Sequence, residues 1–91
     1  MKVMATLVDH YLQEMAESIV EVEESEAAYR ACVQRHRDEF GPGILAEQKA
    51  ATHPAVLKAI GDGAFYRSRA TMYAAAATAI LLDEQRKRGA L

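Results

Sequence analysis

Residues 4 to 40 contain no proline and no glycine, and within them small or apolar residues return at steps of four and three. The positions are Met4, Val8, Tyr11, Met15, Ser18, Val22, Ser25, Tyr29, Cys32 and His36. A strand would repeat every second residue. This rhythm is the heptad seam of one helix packed on another. Leu12, Ala16 and Ile19 widen the stripe on one side. The pattern predicts a helix over about 3–40, roughly 55 Å long at 1.5 Å per residue.

Gly41-Pro42-Gly43 ends that helix. Proline lacks the amide proton and glycine accepts a left-handed cap. Residues 44–51 suit a short helix, and Thr52-His53-Pro54 punctuates the chain again. Thr52 or His53 can cap a new helix, with Pro54 in its first turn. From there Val56, Ala59, Gly63, Tyr66, Ala70, Tyr73, Ala77 and Ile80 repeat the four-three rhythm, which predicts a helix over about 54–88. Arg86, Lys87 and Arg88 suit its negative end. Gly61-Asp62-Gly63 leaves two readings. Two glycines cost about 2 kcal/mol of helix propensity, which favours a break at 61–63. Gly63 on the seam, where a missing side chain admits a second backbone, favours continuity.

Two long seams joined by a tight turn predict an all-α chain: one helical domain, a long antiparallel hairpin with a short third helix near 44–51, assembling into a helical bundle. The two seams can be laid against each other so that facing residue numbers sum to 95. Val22 then meets Tyr73, Ser25 meets Ala70, Tyr29 meets Tyr66 and Cys32 meets Gly63. Charge agrees with an antiparallel pairing, since residues 1–40 carry a net −5 and residues 41–91 a net +3. In this arrangement Glu24 and Glu26 approach Arg67 and Arg69.

The composition narrows the function classes. With 91 residues, 51% hydrophobic and 26% charged, the chain reads as one folded domain rather than a disordered segment. One cysteine rules out an internal disulfide and a cysteine-based zinc site. A net charge of −2 argues against a general nucleic-acid binder. The longest uncharged run, residues 70–82, is 13 residues. A membrane span needs about 20, so no membrane association is expected. The start of the sequence lacks an apolar signal core. Cytoplasm is the expected location, with the Cys32 thiol reduced.

Glu14, Glu17, Glu21 and Glu24 follow steps of three, four and three, which puts them on one helical face; Glu23 and Glu26 flank it. No basic residue interrupts the stretch from Glu14 to Glu26. Hard cations take oxygen ligands, so one reading of Glu14, Glu17, Glu21 and Glu24 is a metal-dependent site. The Glu-x-x-Glu spacing resembles that of the MazG-type all-α nucleotide pyrophosphohydrolases. Their pattern requires a second pair, Glu-x-x-Asp, on the next helix. Here Ala59 and Ile80 stand three residues before Asp62 and Asp83. The Glu-x-x-His pairs of di-iron bundles are also missing, since Leu7, Val33 and Ala50 stand three before His10, His36 and His53. Cys32 and the seam tyrosines read as core residues. A third reading assigns Arg67, Arg69 and the cluster at 86–88 to nucleic acid.

The reading carried forward is a non-enzymatic interaction module, with no cofactor, no metal and no catalytic residue expected. Its partner-binding residues are Glu14, Glu17, Glu21, Glu24 and Glu26, facing a protein with a basic surface. The second helix is apolar beyond its seam, and a helix apolar nearly all round belongs inside an assembly. A homodimer is therefore expected through Leu57, Ile60, Phe65, Met72, Ala76 and Ala79. The alternative is a monomer in which 44–51 folds back over that apolar surface.

Overall fold

The computed structural model describes residues 2–89, and the side chains of residues 6–89. It contains three helices: α1 (Lys2–Phe40), α2 (Ile44–Ala51) and α3 (Pro54–Gly89). There is no strand among the described residues. α1 and α3 run antiparallel and pack along most of their length, which makes the chain an all-α helical hairpin. The molecule is a rod of 66 × 19 × 16 Å, with a radius of gyration of 19.7 Å. A compact domain of this size would have a radius near 12 Å.

The helix ends follow local chemistry. Gly41 takes φ +83°, and its amide donates to the Arg37 carbonyl at 2.8 Å, closing α1 with a left-handed cap. Gly43, at φ +132°, turns the chain into α2. At the start of α3, His53 is the cap. Its carbonyl accepts the amides of Val56 and Leu57, both at 3.0 Å, and its ring Nδ1 accepts the Ala55 amide at 3.1 Å. Pro54 needs no hydrogen bond in the first turn. α3 then runs unbroken through Gly61-Asp62-Gly63. Lys58 and Asp62, 2.6 Å apart, form an i,i+4 ion pair that spans Gly61.

The buried residues of the long helices are Val8, Ser18 and Cys32 on α1, and Val56, Ala59, Gly63 and Ala77 on α3. Each lies on a four-three stripe. Tyr11, Met15, Val22, Tyr66, Tyr73 and Ile80 on the same stripes are half-buried; the side chain of Met4 lies outside the described residues. The two seam serines are satisfied within α1. Ser18 Oγ donates to the Glu14 carbonyl at 2.8 Å and Ser25 Oγ to the Glu21 carbonyl at 2.9 Å.

The register differs from the expected one. A Cβ built on Gly63 lies 3.8 Å from Ser25 Cβ, and Cys32 shares a buried cluster with Ala50 and Val56. Ser25 therefore faces Gly63 rather than Ala70, and Cys32 faces the level of Val56 rather than Gly63. The slide is seven residues, one heptad, or about 10 Å. A seven-residue repeat looks identical after a seven-residue slide, so the seams alone leave these registers equivalent. The short helix breaks the tie. In the observed register α1 overhangs the start of α3 by about a turn and a half. α2 packs in that overhang with Ala46 and Ala50 buried. With the helices flush, α2 would have no such ledge. Tyr29, expected against Tyr66, is instead 43% exposed.

Candidate functional site

The six glutamates between positions 14 and 26 of α1 divide into two groups. Glu14 and Glu26 lean toward α3. Glu26 Oε1 takes Arg67 Nη2 at 2.7 Å, and Glu14 Oε2 lies 3.5 Å from Arg69 Nη2. Arg69 also donates to the Tyr73 hydroxyl at 3.0 Å and lies over the rings of Tyr73 and Phe65, at 5.4 and 5.8 Å from their centroids. Such stacking suits the flat guanidinium. Arg67 thus meets one of the glutamates expected near it. Arg69 reaches Glu14, twelve residues before Glu26 in the sequence.

The second group faces solvent. Glu17, Glu21, Glu23 and Glu24 are exposed, and among the described residues none forms an ion pair within 4 Å. Glu17 accepts one hydrogen bond, from Gln13 Nε2 at 3.2 Å. Glu14, Glu17 and Glu21 border a shallow cleft of about 230 Å³, together with Ser18, Tyr66 and Arg69. Arg69 is the basic residue lining it. The arrangement offers a cationic partner carboxylates that stay hydrated and ready to exchange water for an ammonium or guanidinium group.

The tip of the hairpin holds what the sequence kept apart. His36 of α1 and His53, in the turn between α2 and α3, stand edge to face with centroids 5.3 Å apart. His36 Nδ1 donates to the Cys32 carbonyl at 2.8 Å, with the Cys32 sulfur 3.8 Å away. That proton is committed to the backbone carbonyl. Among the described residues no three of His, Cys, Asp and Glu converge as ligands for a metal ion. His10 is exposed beside Tyr11.

A feature not read from the sequence is a groove of about 620 Å³ between α1, α2 and α3. Tyr29, Arg30, Gln34 and Arg37 line it from α1, and Val56 and Ile60 from α3. Arg37 crosses to Glu47 of α2 at 3.3 Å. The signal for it was present, because a short helix between two sets of helix breakers must lie across the end of the hairpin. Its position depended on the register.

Of the expected oligomer residues, Leu57, Phe65, Met72 and Ala79 lie on the outer side of α3, while Ile60 borders the groove against α1 and α2. Leu57, Ile60, Phe65 and Met72 are 54–56% exposed. Ala79 is exposed and Ala76 half-buried. α2 does not cover them, and its own Ile44 and Leu45 face solvent. Among the described residues no helix is long and apolar enough to cross a membrane.

Fold and surface together define a long all-α hairpin with one acidic edge and one apolar edge. No protein family, curated protein or solved structure matches the chain.

Proposed function

We propose that this chain is a non-enzymatic helical interaction module that binds a basic protein surface through α1 and works as a homodimer through the outer face of α3. One observation carries the first half. After Glu14 and Glu26 are engaged by Arg69 and Arg67, the carboxylates of Glu17, Glu21, Glu23 and Glu24 remain exposed on the same helix, and among the described residues none of them forms an ion pair within 4 Å. Internal pairing holds the helix in place while the remaining charge faces outward. The second half is supported by the half-exposed Leu57, Phe65 and Met72.

A fluorescent lysine- and arginine-rich peptide titrated into the protein tests the acidic face. Binding is expected, weakening steeply as salt rises. A Glu17→Lys, Glu21→Lys, Glu24→Lys chain should lose it while keeping its helical circular dichroism and its mass in solution. Equal binding by that variant, or no binding by the parent, overturns the reading.

A further inference from the structure

The groove at the tip of the hairpin has the build of a small-molecule site. Helical spacing makes its α1 wall. Tyr29 and Val33, four apart, lie next to the seam, and Arg30 and Arg37, seven apart, stand on the solvent side of them as a rim. Val56 and Ile60 of α3 form the opposite wall, and α2 closes one end with Ala50 and Ala51. The groove measures about 620 Å³. A second cleft of about 310 Å³ continues from it between α1 and α3 and shares Tyr29 and Ile60. Tyr29 is 43% exposed there and Ile60 55%. A concavity of this size between helices, apolar with a few polar groups on its rim, is the usual form of a ligand pocket.

Charge identifies the class of ligand. The charged residues along the two clefts are Arg30, Arg37, Arg67, Glu26 and Glu47. Glu26 takes Arg67 at 2.7 Å, and Glu47 takes Arg37 at 3.3 Å. These two pairs neutralise the ends. Arg30 stands between them, exposed, and among the described residues it forms no ion pair within 4 Å. Gln34, one turn farther along the rim, donates its amide to Asp38 at 2.9 Å. The unanswered charge of the groove is therefore one guanidinium beside an aromatic and aliphatic floor. A cation is repelled by it, and a neutral ligand leaves it unpaired. A carboxylate can accept two parallel N–H bonds from it. The Tyr29 ring and the Ile60 side chain offer contact area to a flat apolar body carrying that acid.

We propose that the tip groove binds a small aromatic carboxylate, its ring seated on Tyr29, Val33 and Ile60 and its acid group held by Arg30. This is a second binding function, independent of the acidic face of α1. Arg30 follows Glu17 by thirteen residues and Arg37 follows Glu21 by sixteen, which is about 140° and 160° around the helix. A ligand in the groove touches all three helices and so holds α2 against the hairpin.

Naphthoate serves as the probe, with naphthylmethanol as its neutral counterpart of similar size. Naphthoate titrated into the intact chain should give saturable shifts in the amide NMR spectrum, centred on Tyr29, Val33, Ala50 and Ile60. It should also raise the melting midpoint, as a ligand of the native state does. Loss of the charged contact should weaken binding by about tenfold or more. Naphthylmethanol on the parent chain and naphthoate on Arg30→Gln should both show that loss. Ile60→Ser, which removes part of the floor, should also bind naphthoate more weakly, whereas Met72→Gln should bind it as the parent does. Arg30, Ile60 and Met72 are exposed, so the helical circular dichroism should be kept. If a variant loses it, the two ligands on the parent still decide the matter. Shifts that rise without saturating, or that centre on Phe65 and Met72, overturn the site. Equal affinity for naphthylmethanol, or equal binding by Arg30→Gln, overturns the carboxylate and with it the proposal.

Discussion

Ser25 and Gly63 face each other across the hairpin so closely that a Cβ on the glycine would sit 3.8 Å from that of the serine. This is ordinary van der Waals distance, and the other near atom is the flexible end of Arg67, also at 3.8 Å. The seam there has room for one methyl group. Gly63→Ala should therefore gain helix propensity without a clash, stabilising the chain by about 1 kcal/mol. That corresponds to a rise of roughly 4–8 °C in the melting midpoint of a chain this small. Gly63→Leu should lower the midpoint by overpacking, at a cost of about 1–3 kcal/mol. Calorimetry on the two variants checks both signs.

The same distance decides the register. Disulfides join Cβ atoms about 3.8 Å apart, so a Ser25→Cys, Gly63→Cys chain should oxidise within one molecule. Closing a loop of this length adds up to about 4 kcal/mol. A Ser25→Cys, Ala70→Cys chain should not close, although the seams read alone would have paired those residues. Mass spectrometry of the oxidised, proteolysed variants separates the two.

His53 caps α3 with an unprotonated ring nitrogen that accepts the Ala55 amide. His53→Ala removes that acceptor and should cost about 1 kcal/mol. His53→Asp restores an acceptor and adds a negative charge at a helix N-terminus, so it should recover the loss or exceed it. Urea denaturation of the three chains ranks them.

Asp62 holds Lys58 protonated above its usual range, chiefly through their hydrogen bond and then through its charge. A lysine whose folded pKa is raised stabilises the fold below its unfolded value and loses that contribution as pH rises through the folded value. The pair is fully exposed to solvent on the lysine side, so its effect is small. Melts at neutral pH and above 10.5 should show the advantage of the parent over Asp62→Asn shrinking at alkaline pH.

The secondary structure was legible because every signal for it is local. Heptad spacing fixed which sides of α1 and α3 are buried, and Gly41-Pro42-Gly43 and Pro54 fixed where helices stop and start. At Gly61-Asp62-Gly63 the local signals conflicted, glycine propensity against the place of Gly63 on the seam, and α3 runs through without a break. Register was not legible, because sliding Ser25 from Ala70 to Gly63 preserves every seam match. What distinguishes the two is the ledge for Ala46 and Ala50, a contact of a third element with the overhanging end of α1. The candidate site was legible as a list of glutamates but not as a division of labour. Which of them α3 neutralises depends on the reach of Arg67 and Arg69 in the final register, and the same slide leaves Tyr29 bordering the groove at the tip.

A rod whose interior is about one side chain thick has no centre through which its ends can communicate. Tyr11, paired with Tyr73 at a ring separation of 5.9 Å near the open end, and Val56, in the cluster with Cys32 at the tip, share no neighbour. About 30 Å of helix separates them. Perturbations at the two sites should be felt separately, their energies summing with no coupling between them. The chain behaves as a short linear array, in which each layer can loosen and close against the next while the far end stays shut.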